Sequence, residues 1–93
     1  ARAAAADPSV MVFIGPYNSG AAKQSIPVLN EAGLVQISPA CTAIELTKPV
    51  AGDTSGAPGI YRRNGVTFCR VCPNDILQGT ASAIFVSEDL KAK

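Results

Sequence analysis

Val10-Met11-Val12-Phe13-Ile14 is a continuous apolar run rich in β-branched residues, and Gly15-Pro16 closes it. That is the pattern of a central parallel strand buried on both faces. A polar loop follows, and then Ala21, Ala22, Ile26, Val28, Leu29 and Ala32 recur at helical spacing. Asn18 or Ser19 stands where an N-cap belongs and Gly33 where a C-cap glycine belongs, which predicts a helix from Ser19 to Ala32. Pro27 predicts a kink in it or a late start, because an interior proline removes a backbone hydrogen bond. Leu34-Val35-Gln36-Ile37-Ser38 is a second short apolar segment, ended by Pro39. Strand, helix and strand within one such unit force the two strands parallel, joined by a right-handed crossover. The fold class is therefore α/β, with parallel strands and flanking helices.

The rest of the chain extends this unit. Lys48 to Gly59 is rich in glycine and proline without periodicity and reads as a long loop, functional or disordered. Thr67 to Val71 predicts a third strand or extended segment. Beyond Pro73, Asp75 at the N-cap with Gln78 three positions on forms a capping-box pattern. Leu77, Ala81, Ile84 and Phe85 form an apolar stripe, so a closing helix to about Leu90 is expected. Ala1 to Pro8, short and alanine-rich, reads as the end of a helix cut open, as though the chain begins within a larger unit.

Composition narrows function. With 93 residues, 47% hydrophobic and 16% charged, the chain suits one small folded domain. A domain of that size has little room for both a core and an enclosed pocket, so a pocket is expected to be shared with another body. Its net charge of +1 offers no basic field for nucleic acid. Histidine is absent, which removes histidine-based triads and imidazole-bound zinc. No apolar run approaches the ~20 residues that cross a bilayer.

In an open parallel sheet, ligands bind outside the carboxyl ends of the strands. Two segments fall there: Gly15-Pro16-Tyr17-Asn18-Ser19-Gly20 and Ser38-Pro39-Ala40-Cys41-Thr42. The first leads into a helix whose amino end favours a carboxylate or phosphate, with the Ser19 hydroxyl as a further donor. The second adds the Thr42 hydroxyl and the backbone around Ala40 and Cys41. Either hydroxyl alone could be no more than a helix cap. Together on adjacent strand ends they favour a small anion or zwitterion.

Other motifs carry less. Gly15 and Gly20 have the spacing of a phosphate loop, but Ala21 and Ala22 replace its lysine and hydroxyl residue, so nucleotide binding is not expected. Cys69-Arg70-Val71-Cys72 lacks the further ligands of a zinc site and lies in an extended segment, unlike a redox pair at a helix start. Two partly buried thiols on opposite faces are expected instead. Tyr61-Arg62-Arg63 reads as a solvated charged cluster, and Arg70 as a partner for Asp75 or for another lobe. With no histidine and no paired carboxylates near the thiols, an enzyme using Cys41 or Cys69 is disfavoured.

Val12 to Gly20, Ile26-Pro27-Val28-Leu29-Asn30-Glu31-Ala32-Gly33, Gln36 to Thr42, Glu45-Leu46-Thr47 and Phe68 to Asp75 followed by Gln78-Gly79 form an ordered set of motifs. From Asp7 onward the chain resembles the amino-terminal lobe of type 1 periplasmic binding proteins. The nearest group is the branched-chain amino acid receptors of ABC transporters. The resemblance implies a partial Rossmann-like lobe spanning residues 1 to 93, without its first strands, the hinge and the second lobe. It implies a periplasmic or other extracytoplasmic solute receptor, in some forms lipid-anchored. Such a receptor closes on an amino acid and hands it to a membrane permease, with no cofactor and no catalysis. The same fold also serves as the ligand-binding domain of sensory receptors and regulators. At matching positions, Ser19 and the pair Cys41 and Thr42 would hold the ligand's α-carboxylate and α-ammonium through hydroxyls and backbone groups. Ala40 is the adjacent backbone position, and Tyr17 and Asn18 stand at the rim. Strand edges left open by the absent elements would favour self-association.

Overall fold

A computed structural model describes residues 1–63 and 65–92. After a short helix α1 (Arg2–Ala6) come β1 (Val12–Ile14), α2 (Ser19–Glu31), β2 (Val35–Ser38), a 3-10 turn (Ile44–Leu46), β3 (Phe68–Arg70) and α3 (Asp75–Ile84). A wider π-helical turn (Phe85–Asp89) prolongs α3. The strands form one three-stranded sheet in the order β1-β2-β3, parallel throughout, with Phe13 beside Gln36 and Gln36 beside Phe68. The chain is a small α/β unit with a parallel sheet and flanking helices.

Local chemistry explains the boundaries of α2. The Asn18 carboxamide oxygen accepts from the Gly20 and Ala21 amides at 2.8 and 3.4 Å, occupying donors that the first helical turn leaves free. At the other end Leu34 N–H reaches Leu29 C=O and Gly33 N–H reaches Asn30 C=O. That pattern needs a left-handed residue between helix and strand, and Gly33 supplies it with φ of 77°. Pro27 lies inside the helix, which begins at Ser19 and not late.

One sheet face is covered and the other is not. Ala22, Ile26 and Leu29 of α2 are buried against the face that carries Phe13, Gln36 and Phe68, and Cys41, Leu46 and Ile60 complete the core. Val12 and Ile14 point the opposite way and are 42% and 67% exposed, with Val35 and Cys69 exposed on the same side. The expectation that β1 is a central strand buried on both faces is therefore corrected. It lies at the sheet edge, and no described helix covers its outer face.

The long loop is packed. Lys23 Nζ on α2 bonds Glu45 at 2.8 Å, the Ser55 hydroxyl at 3.0 Å and, more distantly, Asp53 at 3.8 Å. Ala57 N–H donates to Glu45 C=O, and Ala57 and Ile60 are buried. Asn30 anchors the approach to β3: its amide donates to Gly65 C=O and the Thr67 hydroxyl, and its oxygen accepts from Arg63 N–H at 2.7 Å. In the expected charged cluster only Arg62 and Arg63 are exposed. Tyr61 is half-buried and donates to Leu46 C=O at 2.6 Å.

One reading of the closing helix is also corrected. Asn74 is the N-cap, with its side chain accepting from Leu77 N–H at 3.2 Å, and Gln78 donates to Pro73 C=O. Asp75 is instead the first helical residue, and its N–H bonds Thr42 C=O at 3.0 Å. The apolar stripe of α3 packs on nothing described: Ile76, Leu77, Ile84 and Phe85 are all about half exposed or more.

Candidate functional site

The two loops expected at the carboxyl ends of β1 and β2 lie side by side, because β1 and β2 pair in parallel and Gly15 N–H continues their ladder to Ile37 C=O at 2.7 Å. What joins them is a set of side-chain bonds. Ser38 Oγ, fully buried, donates to Pro16 C=O at 2.8 Å and accepts from the amides of Ala40 and Cys41 at 3.2 and 2.9 Å. The Cys41 thiol donates to Pro16 C=O at 3.2 Å and lies 3.6 Å from Tyr17 C=O. From the second loop back to α2, Ala43 N–H donates to Ser19 Oγ at 3.3 Å.

The candidate residues divide by where their polar atoms are spent. Cys41 is fully buried, its amide taken by Ser38, its carbonyl by Arg70 and Cys72, and its thiol by the first loop. Its side chain is a strut between the loops and faces the core. Asn18 spends its side-chain oxygen on the cap of α2, and the Ala40 amide is spent on Ser38. Tyr17 projects outward at the rim, 82% exposed. Ser19 and Thr42 are half-buried. Among the described residues, the Ser19 and Thr42 amides and the Thr42 hydroxyl have no hydrogen-bond partner, and the Ser19 hydroxyl proton has no acceptor. The Ser19 donors sit at the amino end of a 13-residue helix, where the dipole favours negative charge, and Thr42 precedes Ala43, whose amide bonds Ser19 Oγ.

Arg70, the last residue of β3, organises the second loop from below. Its Nη1 donates to Cys41 C=O and Ala43 C=O at 2.9 and 2.8 Å, and its Nη2 to the Thr47 hydroxyl at 2.6 Å. The expected partner Asp75 is not engaged; the loop carbonyls occupy the guanidinium in its place. The sequence places Ser38 only at the start of the second loop and marks Arg70 as a partner for Asp75 or another lobe; that both brace the second loop is not expected from it. The signal for Ser38 was present in the alternation of β2, where Gln36 and Ser38 are two apart and thus share the face beneath α2.

The two described cavities lie elsewhere. One of about 640 Å³ opens between α1, β1 and α2, and one of about 360 Å³ lies beside Thr47, Pro58 and Tyr61. Neither is lined by Ser19, Ala40, Cys41 or Thr42. No protein-family model, curated protein or solved structure matches the chain.

Proposed function

We propose that this chain is the ligand-binding part of an extracytoplasmic solute receptor of the type 1 periplasmic binding class, serving an ABC transporter. It binds an amino acid, of branched-chain or related type, between this lobe and a second one, and it delivers the ligand to a membrane permease by lobe closure and without catalysis. The observation that carries this reading is that Ser19 and Thr42, each with unpartnered donors, stand on two loops joined by the Ala43 N–H to Ser19 Oγ bond. Hydroxyls and amides at a helix amino terminus suit an α-carboxylate. The α-ammonium would need acceptors, and the Thr42 and Ser19 hydroxyl oxygens can supply them.

Tyr17, 82% exposed, would contribute to the wall of a closed site in this reading. The uncovered sheet face and α3 are the surfaces through which the chain would meet the remainder of such a receptor, or a second copy of itself. Calorimetric titration of the two-lobed parent protein with L-leucine tests the reading. Ser19→Ala and Thr42→Ala should each weaken binding by about 1–3 kcal/mol, since each leaves a desolvated ligand group unpaired. Unchanged affinity in both variants would refute the site.

A further inference from the structure

The carbonyls of Cys41, Thr42 and Ala43 are all drawn toward β3 and the start of α3. Arg70 Nη1 takes the first and third, and Asp75 N–H takes the second. In a trans peptide the C=O and the following N–H point in opposite directions. With Cys41 C=O turned to Arg70, the Thr42 amide is therefore turned away from β3. The next peptide shows the consequence directly, since Thr42 C=O faces Asp75 while Ala43 N–H reaches Ser19 Oγ on α2. The outward set of donors is thus fixed by what holds the carbonyls behind it.

We infer that Arg70 is the positioning residue of this site: it touches no ligand, and it sets the Cys41–Thr42–Ala43 peptides so that the Thr42 amide and hydroxyl stand beside Ser19. The inference rests on the ligand-binding reading above. Three features suit arginine to the task. Its planar fork spans two carbonyls and a hydroxyl at once, which the compact ammonium of lysine cannot match. Its guanidinium carbon lies 6.0 Å from the centroid of the Phe68 ring, and that ring is buried, so the fork has an aromatic backing. It also stands on a strand paired to β2 in the register Ser38 to Arg70, so the two residues that brace the second loop are neighbours in the sheet. A site held by such a rigid inner layer keeps its donors in place before the ligand arrives.

The test uses the two-lobed protein, its Arg70→Ala and Arg70→Lys variants, and amide-resolved NMR. In Arg70→Ala, hydrogen exchange at the Ala43 amide should accelerate at least 10-fold while the Gly15 amide, which bonds Ile37 across the β1–β2 ladder, keeps its protection. Titration with L-leucine should shift the Ser19 and Thr42 amides in the unsubstituted two-lobed protein, with a dissociation constant raised about 10-fold or more in Arg70→Ala and by an intermediate factor in Arg70→Lys. Unchanged exchange at Ala43 or unchanged affinity in Arg70→Ala would overturn the positioning role. So would a ligand-induced shift of the Arg70 guanidinium larger than those at Ser19 and Thr42, which would mark direct contact. A silent titration of the unsubstituted two-lobed protein would defeat the binding reading and the positioning role with it, even where accelerated exchange at Ala43 shows Arg70 bracing the loop.

Discussion

Ser38→Ala is the substitution that most sharply tests how the two loops are joined. The hydroxyl is fully buried and makes three bonds, to Pro16 C=O and from the amides of Ala40 and Cys41. Ala40 is half-buried, so water can replace its bond at little cost. Cys41 is fully buried, so its amide would be left without a partner, at a cost of about 1–3 kcal/mol. Pro16 C=O keeps the Cys41 thiol, and losing its stronger donor costs about 1 kcal/mol. The expected total is about 2–4 kcal/mol, a large part of the roughly 5–15 kcal/mol that holds a domain together. Urea unfolding at neutral pH measures it as a lower midpoint with an unchanged slope. Because both side chains serve Pro16 C=O, Ser38→Ala and Cys41→Ala should be non-additive by at least about 0.5 kcal/mol. A loss under about 0.5 kcal/mol for Ser38→Ala would refute the claim that this hydroxyl fastens the loops.

Two further outcomes follow from the packing. At Gly56 an added Cβ would stand 2.6 Å from both the Glu45 Cβ and its carbonyl oxygen, so Gly56→Ala must push the loop off the 3-10 turn. A loss of about 1–3 kcal/mol in urea unfolding is expected, and a neutral result would show that the loop does not rest on Glu45. Burial pushes the Tyr61 hydroxyl up to about 12 from 10.0. The folded value is raised, so the protein's Tyr61-dependent stability is intact below pH 10 and is lost as pH rises through about 12. Alkaline unfolding between those limits should be blunted in Tyr61→Phe, and identical alkaline profiles for the two proteins would exclude Tyr61 as its source.

The parallel strands, α2 with its cap and terminal glycine, and the placing of both loops at the strand ends were legible in the sequence. Each depends on local chemistry or on a period in the hydrophobic pattern. Direction and cover were not. Val10 to Ile14 reads as a doubly buried strand because its residues are apolar on both faces, yet only Phe13 faces α2, while Val12 and Ile14 look outward. Cys41 stands next to Thr42 in the same loop, but the thiol turns inward to Pro16 and spacing gives no sign of that rotation. Asn74 and Asp75 are both good caps by residue type; Asn74 takes the role, and the Asp75 amide, free in the first helical turn, bonds Thr42 C=O from another part of the chain.

The same reasoning separates residues that hold the site from residues that can offer it to a ligand. Polar groups in the two loops are numerous, but a group already bonded inside the protein costs free energy to redirect. Ser38, Cys41, the Asn18 carboxamide oxygen and the Ala40 amide are all committed to partners within the chain. Arg70 is committed threefold, although a lone arginine near a crevice would otherwise be the first suspect for binding a carboxylate. Subtracting these leaves, beside the Asn18 NH2 and the Tyr17 hydroxyl at the rim, the amide and hydroxyl of Ser19 and of Thr42, which lie on different loops. Their juxtaposition depends on the Ser38, Cys41 and Arg70 bonds beneath them, so a ligand that reads both loops is in effect reading the integrity of the buried polar layer between β2 and β3.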